Sequence, residues 1–117
     1  MLALLYLIKK NFFDPNSILN TQYTNMISRL VKMTFHAEKV PQFLKIFEEN
    51  KKAISSFDGC VQVELKRDVK NSNIFFTVSQ WRSEEDLNNY RKSELFNSVW
   101  GRTKVLFQEK AEAWTLN

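Results

Sequence analysis

The sequence predicts an α+β fold: a split βαβ, ferredoxin-like protomer whose antiparallel sheet carries helices on one face. Three observations in its 117 residues predict it. Apolar residues recur with periods of two and 3.6 in the order strand, helix, strand, strand, helix, strand. The middle strands are joined by "VKNSN", a short polar loop that marks a hairpin and hence an antiparallel pair. The second of those strands, "NIFFTVSQW", is apolar on both faces and needs cover on both. One layer of helices covers one face, so a second copy of the sheet is the economical cover for the other.

The elements follow in order. "MISRLVKMTF" (26–35) places Ile27, Val31, Met33 and Phe35 on one side and Ser28, Lys32 and Thr34 on the other. Arg29 and Leu30 interrupt the alternation, but the period of two dominates and predicts a half-buried strand. In "AEKVPQFLKIFEENKKAISSF", Val40, Phe43, Leu44, Phe47 and Ile54 form one helical stripe. Pro41 suits the first turn, where its missing N–H is not needed, and Asp58–Gly59 ends the helix. "CVQVELKRD" (60–68) and "NIFFTVSQW" (73–81) are the hairpin strands. In the latter, Phe75, Thr77, Ser79 and Trp81 point one way, and Ile74, Phe76 and Val78 the other. Ser83 is an N-cap followed by Glu84, Glu85 and Asp86, acids that favour a helix N-terminus. Ser93–Glu94 opens a second helical piece, "ELFNSVWGRTKVLF", with Leu95, Phe96, Val99, Trp100 and Val105 as core residues. "EKAEAWTL" (109–116) is the last strand.

Composition narrows the function classes. The net charge is +4, but the basic residues are interleaved with acids, as on solvated helix faces, which argues against a nucleic-acid partner. Cys60 is the only cysteine, which excludes an intrachain disulfide and a cysteine-based metal cage. No cluster of metal ligands and no phosphate-cradling glycine loop is present. The apolar run Leu2–Ile8 falls far short of the roughly 20 residues that span a bilayer. It also lacks the basic lead-in and cleavage site of a secretory signal. The expected organisation is therefore a cytoplasmic domain over 26–117, with 1–25 a loosely attached extension or a mis-assigned start, and no membrane partner.

The segment "FDGCVQVELKRDVKNSNIFFTVSQWRSEEDLNNYRKSELF" resembles the antibiotic biosynthesis monooxygenase (ABM) domain. The counterparts of that family's concatenated signals are Gly59, Glu64–Leu65, Arg67–Asp68, Asn73, Phe75, Trp81 and Ser83. The resemblance implies a homodimer in which two sheets pack face to face as a dimeric α+β barrel. It also implies oxidation of a small aromatic or quinol-type compound by O2 without bound cofactor. Such chemistry asks for an aromatic pocket, a proton acceptor and a donor that stabilises a phenolate. On this reading His36, the only histidine, and Tyr90 are the catalytic candidates, and Arg29, Trp81, Phe96 and Trp100 the substrate-binding ones. Arg29 would either stabilise a substrate anion or pair with a carboxylate at the helix interface; pairing is the expected role. Tyr90 would donate to a phenolate, its ordinary pKa near 10 making it a poor base.

Two positions that often hold histidine in the family carry Tyr90 and Leu95 here. The haem-degrading branch of the superfamily uses a first-strand Asn, a helix Trp and a haem-ligating His. The first strand of this chain has no Asn, and the other two positions hold Tyr90 and Trp100, the latter unable to ligate iron. The lost histidines raise an alternative function, a non-catalytic ligand-binding or stress-associated homodimer of the same fold.

Overall fold

The structure, a computed structural model, describes residues 26–117. The extension expected at 1–25 lies outside the described residues. Strand β1 (Ile27–Phe35) leads through a single 3-10 turn (Ala37–Lys39) into α1 (Val40–Ser55). The hairpin β2 (Cys60–Arg67) and β3 (Ile74–Trp81) follows, then α2 (Glu84–Arg91), α3 (Glu94–Lys104) and β4 (Phe107–Leu116). The four strands form one antiparallel sheet in the order β2-β3-β1-β4, which is the predicted split βαβ topology.

Local chemistry accounts for the element boundaries. Ser83 Oγ accepts from the Asp86 N–H, and Ser93 Oγ from the Phe96 N–H, both at 3.1 Å, so each short helix has a hydrogen-bonded N-cap. After α1 the chain turns through Gly59, whose φ of 88° is the left-handed conformation that glycine adopts without strain. Arg82 then ties this turn to the start of α2, reaching Asp58 at 3.2 Å and Asp86 at 3.0 Å. In the β2–β3 connection, Asp68 Oδ1 accepts from the N–H groups of Lys70 and Asn71 at 2.8 and 2.7 Å, closing the loop.

The core lies between the helices and one face of the sheet. Phe35, Phe43 and Phe75 form its centre, with Phe35 stacked on Phe43 at 4.1 Å between ring centroids. Two apolar assignments differ from the sequence reading. Leu44 lies on the outer flank of α1 and is 36% exposed, while Ile46 on the opposite flank is buried. At the end of α3, Val105 is exposed and Leu106 is the buried residue, because the helix stops at Lys104 and the chain turns.

The first strand also reads differently in place. Arg29 pairs across the sheet with Ser79, and Leu30 with Val78, so neither residue leaves the alternation. Arg29 keeps to the helix-facing side with Val31 and Met33. Leu30 belongs to the opposite face, where its β4 partner is Trp114. That face presents Phe76, Val78, Leu30, Trp114 and Leu116, and Trp114 and Leu116 are 42% and 50% exposed in the single chain.

Candidate functional site: an aromatic cavity between sheet and helices

Register explains why space opens between the layers. Across the sheet, Thr115, Arg29, Ser79 and Val63 form one helix-facing row, and Ala113, Val31, Thr77 and Leu65 the next. Ser79, Thr77 and Ala113 are small, so the sheet surface dips beneath them. The helices bridge the dip with large side chains. The result is a cavity of about 330 Å³, at the lower end of small-molecule pockets, which run to about 1,000 Å³.

Its aromatic wall is continuous. Trp81 stacks on Tyr90 at 4.9 Å, Tyr90 meets Phe96 edge-on at 5.3 Å, and Phe96 stacks on Trp100 at 5.9 Å. Trp81 is fully buried, and its Nε1–H donates to Ser79 Oγ at 2.9 Å, which locks the indole against the sheet. The Tyr90 phenol is half-buried, and burial first, then the nearby Cys60, pushes its pKa up to about 12. At neutral pH it is a hydrogen-bond donor and not a base. Cys60 does not line the cavity, and burial raises its thiol pKa, so it stays protonated.

The polar wall consists of Arg29 from β1 and Arg91 from α2, with Thr77, Ser79 and Thr103 between sheet and helix. Arg29 Nη1 donates to Thr115 Oγ1 at 2.8 Å. Among the described residues no carboxylate pairs with it, so the expected ion pair at the helix interface is absent. Burial, and then the neighbouring charge of Arg91, lower its pKa from the ordinary value, though a guanidinium remains charged.

Of the residues singled out from the sequence, Arg29, Trp81, Tyr90, Phe96 and Trp100 all line this one cavity. His36 does not. It sits exposed where β1 gives way to the 3-10 turn, its backbone N–H donating to the Leu106 carbonyl at 3.2 Å. Arg91, Ser79 and Thr77 were not singled out as site residues. A signal for Arg91 was available: it lies four residues after the buried Leu87 and beside Tyr90, on the inward face of α2.

Comparison with known proteins bears on this geometry directly. A model of the family described as antibiotic biosynthesis monooxygenase matches residues 26–99. The chain belongs to the antibiotic biosynthesis monooxygenase family. The match takes in β1 through most of α3, and so most of the cavity lining. Among solved structures, a conserved Methanosarcina mazei Go1 protein superposes with a TM-score of 0.79 at 18% identity, covering 83% of this chain and 96% of that one. A Nitrosomonas europaea protein proposed as an antibiotic biosynthesis monooxygenase gives 0.75 at 10% identity, covering 80% and 89%. At such identities these structures establish the shared fold.

A Halobacterium salinarum protein whose name proposes heme binding is 31% identical over 67 residues, 56% of this chain and 14% of that protein. The donor set of the cavity does not fit haem iron. The only imidazole of the chain lies outside it, so the Met33 thioether in its lining has no histidine to complete a Met/His pair, and the Tyr90 phenol stays neutral within an aromatic stack. No group of three or more His, Cys, Asp or Glu residues suited to a metal ion occurs among the described residues. Among them, no helix is long and apolar enough to cross a membrane.

Proposed function

We propose that this chain is a homodimeric, cofactor-independent monooxygenase that oxidises a small aromatic or quinol-type compound with O2. The observation that carries the reading is the cavity itself: an aromatic wall of Trp81, Tyr90, Phe96 and Trp100 facing two arginines. A planar phenol or anthrone seated against that wall has its oxygen within a field of fixed positive charge. Such a field favours the substrate anion. The anion is the form that can pass an electron to O2. For an anthrone-like methylene the balance is complete: one atom of O2 becomes the new carbonyl oxygen, and the other leaves as water with the two methylene hydrogens.

Neither imidazole nor carboxylate lines the cavity. The two arginines and the Tyr90 hydroxyl would therefore act by lowering the pKa of the bound substrate, with solvent at the opening accepting the proton. The same observation favours a second reading, a ligand-binding homodimer that keeps the cavity and performs no chemistry. Oxygen uptake separates the two. With a panel of hydroquinones and anthrones, with and without a carboxylate, and metal-stripped protein, the monooxygenase reading expects uptake above the spontaneous rate for at least one compound. Uptake at the spontaneous rate across the panel, with binding still measurable, selects the binding-only reading.

A further inference from the structure

Two guanidinium groups converge on the cavity from different layers, Arg29 from the middle of the sheet and Arg91 from the end of α2. No carboxylate lines the cavity, and among the described residues neither arginine forms an ion pair. The acids of this region are engaged elsewhere or lie outside: Asp86 is held by Arg82, and Glu94 is solvent-exposed. Two like charges facing one cavity repel each other. Burial, and after it the charge of Arg91, lower the pKa of Arg29. Arg91 is also solvent-exposed, so the pair stands where the cavity meets water and would meet an entering ligand first.

One phenolate oxygen is a small counterpart for two planar, multiply donating cations. A carboxylate matches them better, since each guanidinium fork can bond a carboxylate oxygen edge-on. The ring attached to such a carboxylate would then extend toward Phe96 and Trp100, which line the same cavity and hold each other in place by stacking.

We infer that the cavity selects aromatic acids: compounds whose ring lies against Phe96 and Trp100 and whose carboxylate is held between Arg29 and Arg91. The inference rests on the cavity being the ligand site, as proposed above, and adds the charge class of the ligand; with the arginines on the carboxylate, the Tyr90 hydroxyl is the donor left for the reacting oxygen. Neutral aromatics of the same shape are the discriminated alternatives.

Isothermal titration of the full chain with 2-naphthoate and with the neutral 2-naphthalenemethanol at pH 7 tests it. The naphthoate is expected to bind at least about 10-fold tighter, and Arg29→Gln or Arg91→Gln to remove most of that preference. The preference should also shrink when NaCl is raised, because the Arg91 side is open to screening. Arg29→Lys keeps the charge without the fork and should retain part of it, which separates ion recognition from loss of folding. Equal affinities in the wild-type chain, or an unchanged ratio in both Gln variants, overturn the aromatic-acid inference and leave the ligand cavity standing. Binding of neither compound overturns both. Tight naphthoate binding with no oxygen uptake by any substrate upholds the inference and defeats the oxygenase.

Discussion

Tyr90 holds its phenol between Trp81 and Phe96, at the point where the aromatic wall meets the polar one. Replacing it with Phe keeps the stack and removes the hydroxyl. If that hydroxyl donates to the developing substrate anion, turnover in the oxygen-uptake assay should fall about 10²-fold with little change in melting temperature. An unchanged rate would leave Tyr90 as packing alone. Titration gives an independent reading of its environment. The phenol ionises near 10 in an unfolded chain and near 12 here, so the folded state holds the proton longer. The stability linked to this group is complete below pH about 10 and is lost as pH rises toward about 12. Melting temperature should therefore drop more steeply over that window in the wild type than in Tyr90→Phe, and parallel curves would contradict the assignment. The sequence alone could nominate Tyr90, through its resemblance to a family position. It could not reveal that Arg29 has no carboxylate partner, because which acids reach β1 depends on how α2 and α3 settle on the sheet.

Among the elements, the link between α1 and the hairpin leaves no room for a side chain at Gly59. A Cβ on Gly59 would lie 2.4 Å from Asp86 Cβ, and Asp86 is itself held by Arg82 and Ser83. Gly59→Ala is expected to cost roughly 1–3 kcal/mol, from left-handed strain together with displacement of the α2 N-terminus. Urea denaturation measures it, and an unmoved midpoint would show that the clasp yields freely. The elements themselves were legible because each has a local signature: Ser83 and Ser93 as caps, the Asp58–Gly59 stop, the alternation of β3. Packing choices between adjacent apolar residues were less so. Leu44 and Ile46 flank the same stripe on α1, and nothing in their chemistry says which flank the tertiary contacts will bury. Val105 and Leu106 pose the same ambiguity where α3 ends. Arg29 and Leu30 looked like breaks in β1 because a pattern that expects one apolar face and one polar face cannot represent a polar cavity wall opposite an apolar open face.

At the scale of the molecule, the open side of the sheet is unfinished in a single chain. Val78, Leu30 and Trp114 are neighbours across three strands, and Phe76 and Leu116 extend the apolar area around them. Burying that area against a second copy fits the barrel expected for this family. Light scattering should then report about twice the chain mass, and Val78→Asp, which sets an unpaired charge in the centre of the contact, should shift it to monomer. A wild-type monomer at micromolar concentration would defeat the arrangement.

The three tryptophans fall on opposite sides of the sheet. Trp81 and Trp100 line the cavity, whereas Trp114 stands on the open face beside Leu30. Their indole emission thus divides by location. A bound aromatic would quench the first two, while self-association would shift the colour of the third as water leaves it. With Trp114→Phe as the reference chain, one fluorescence spectrum recorded against ligand and against dilution would report occupancy and assembly separately, without any attached dye.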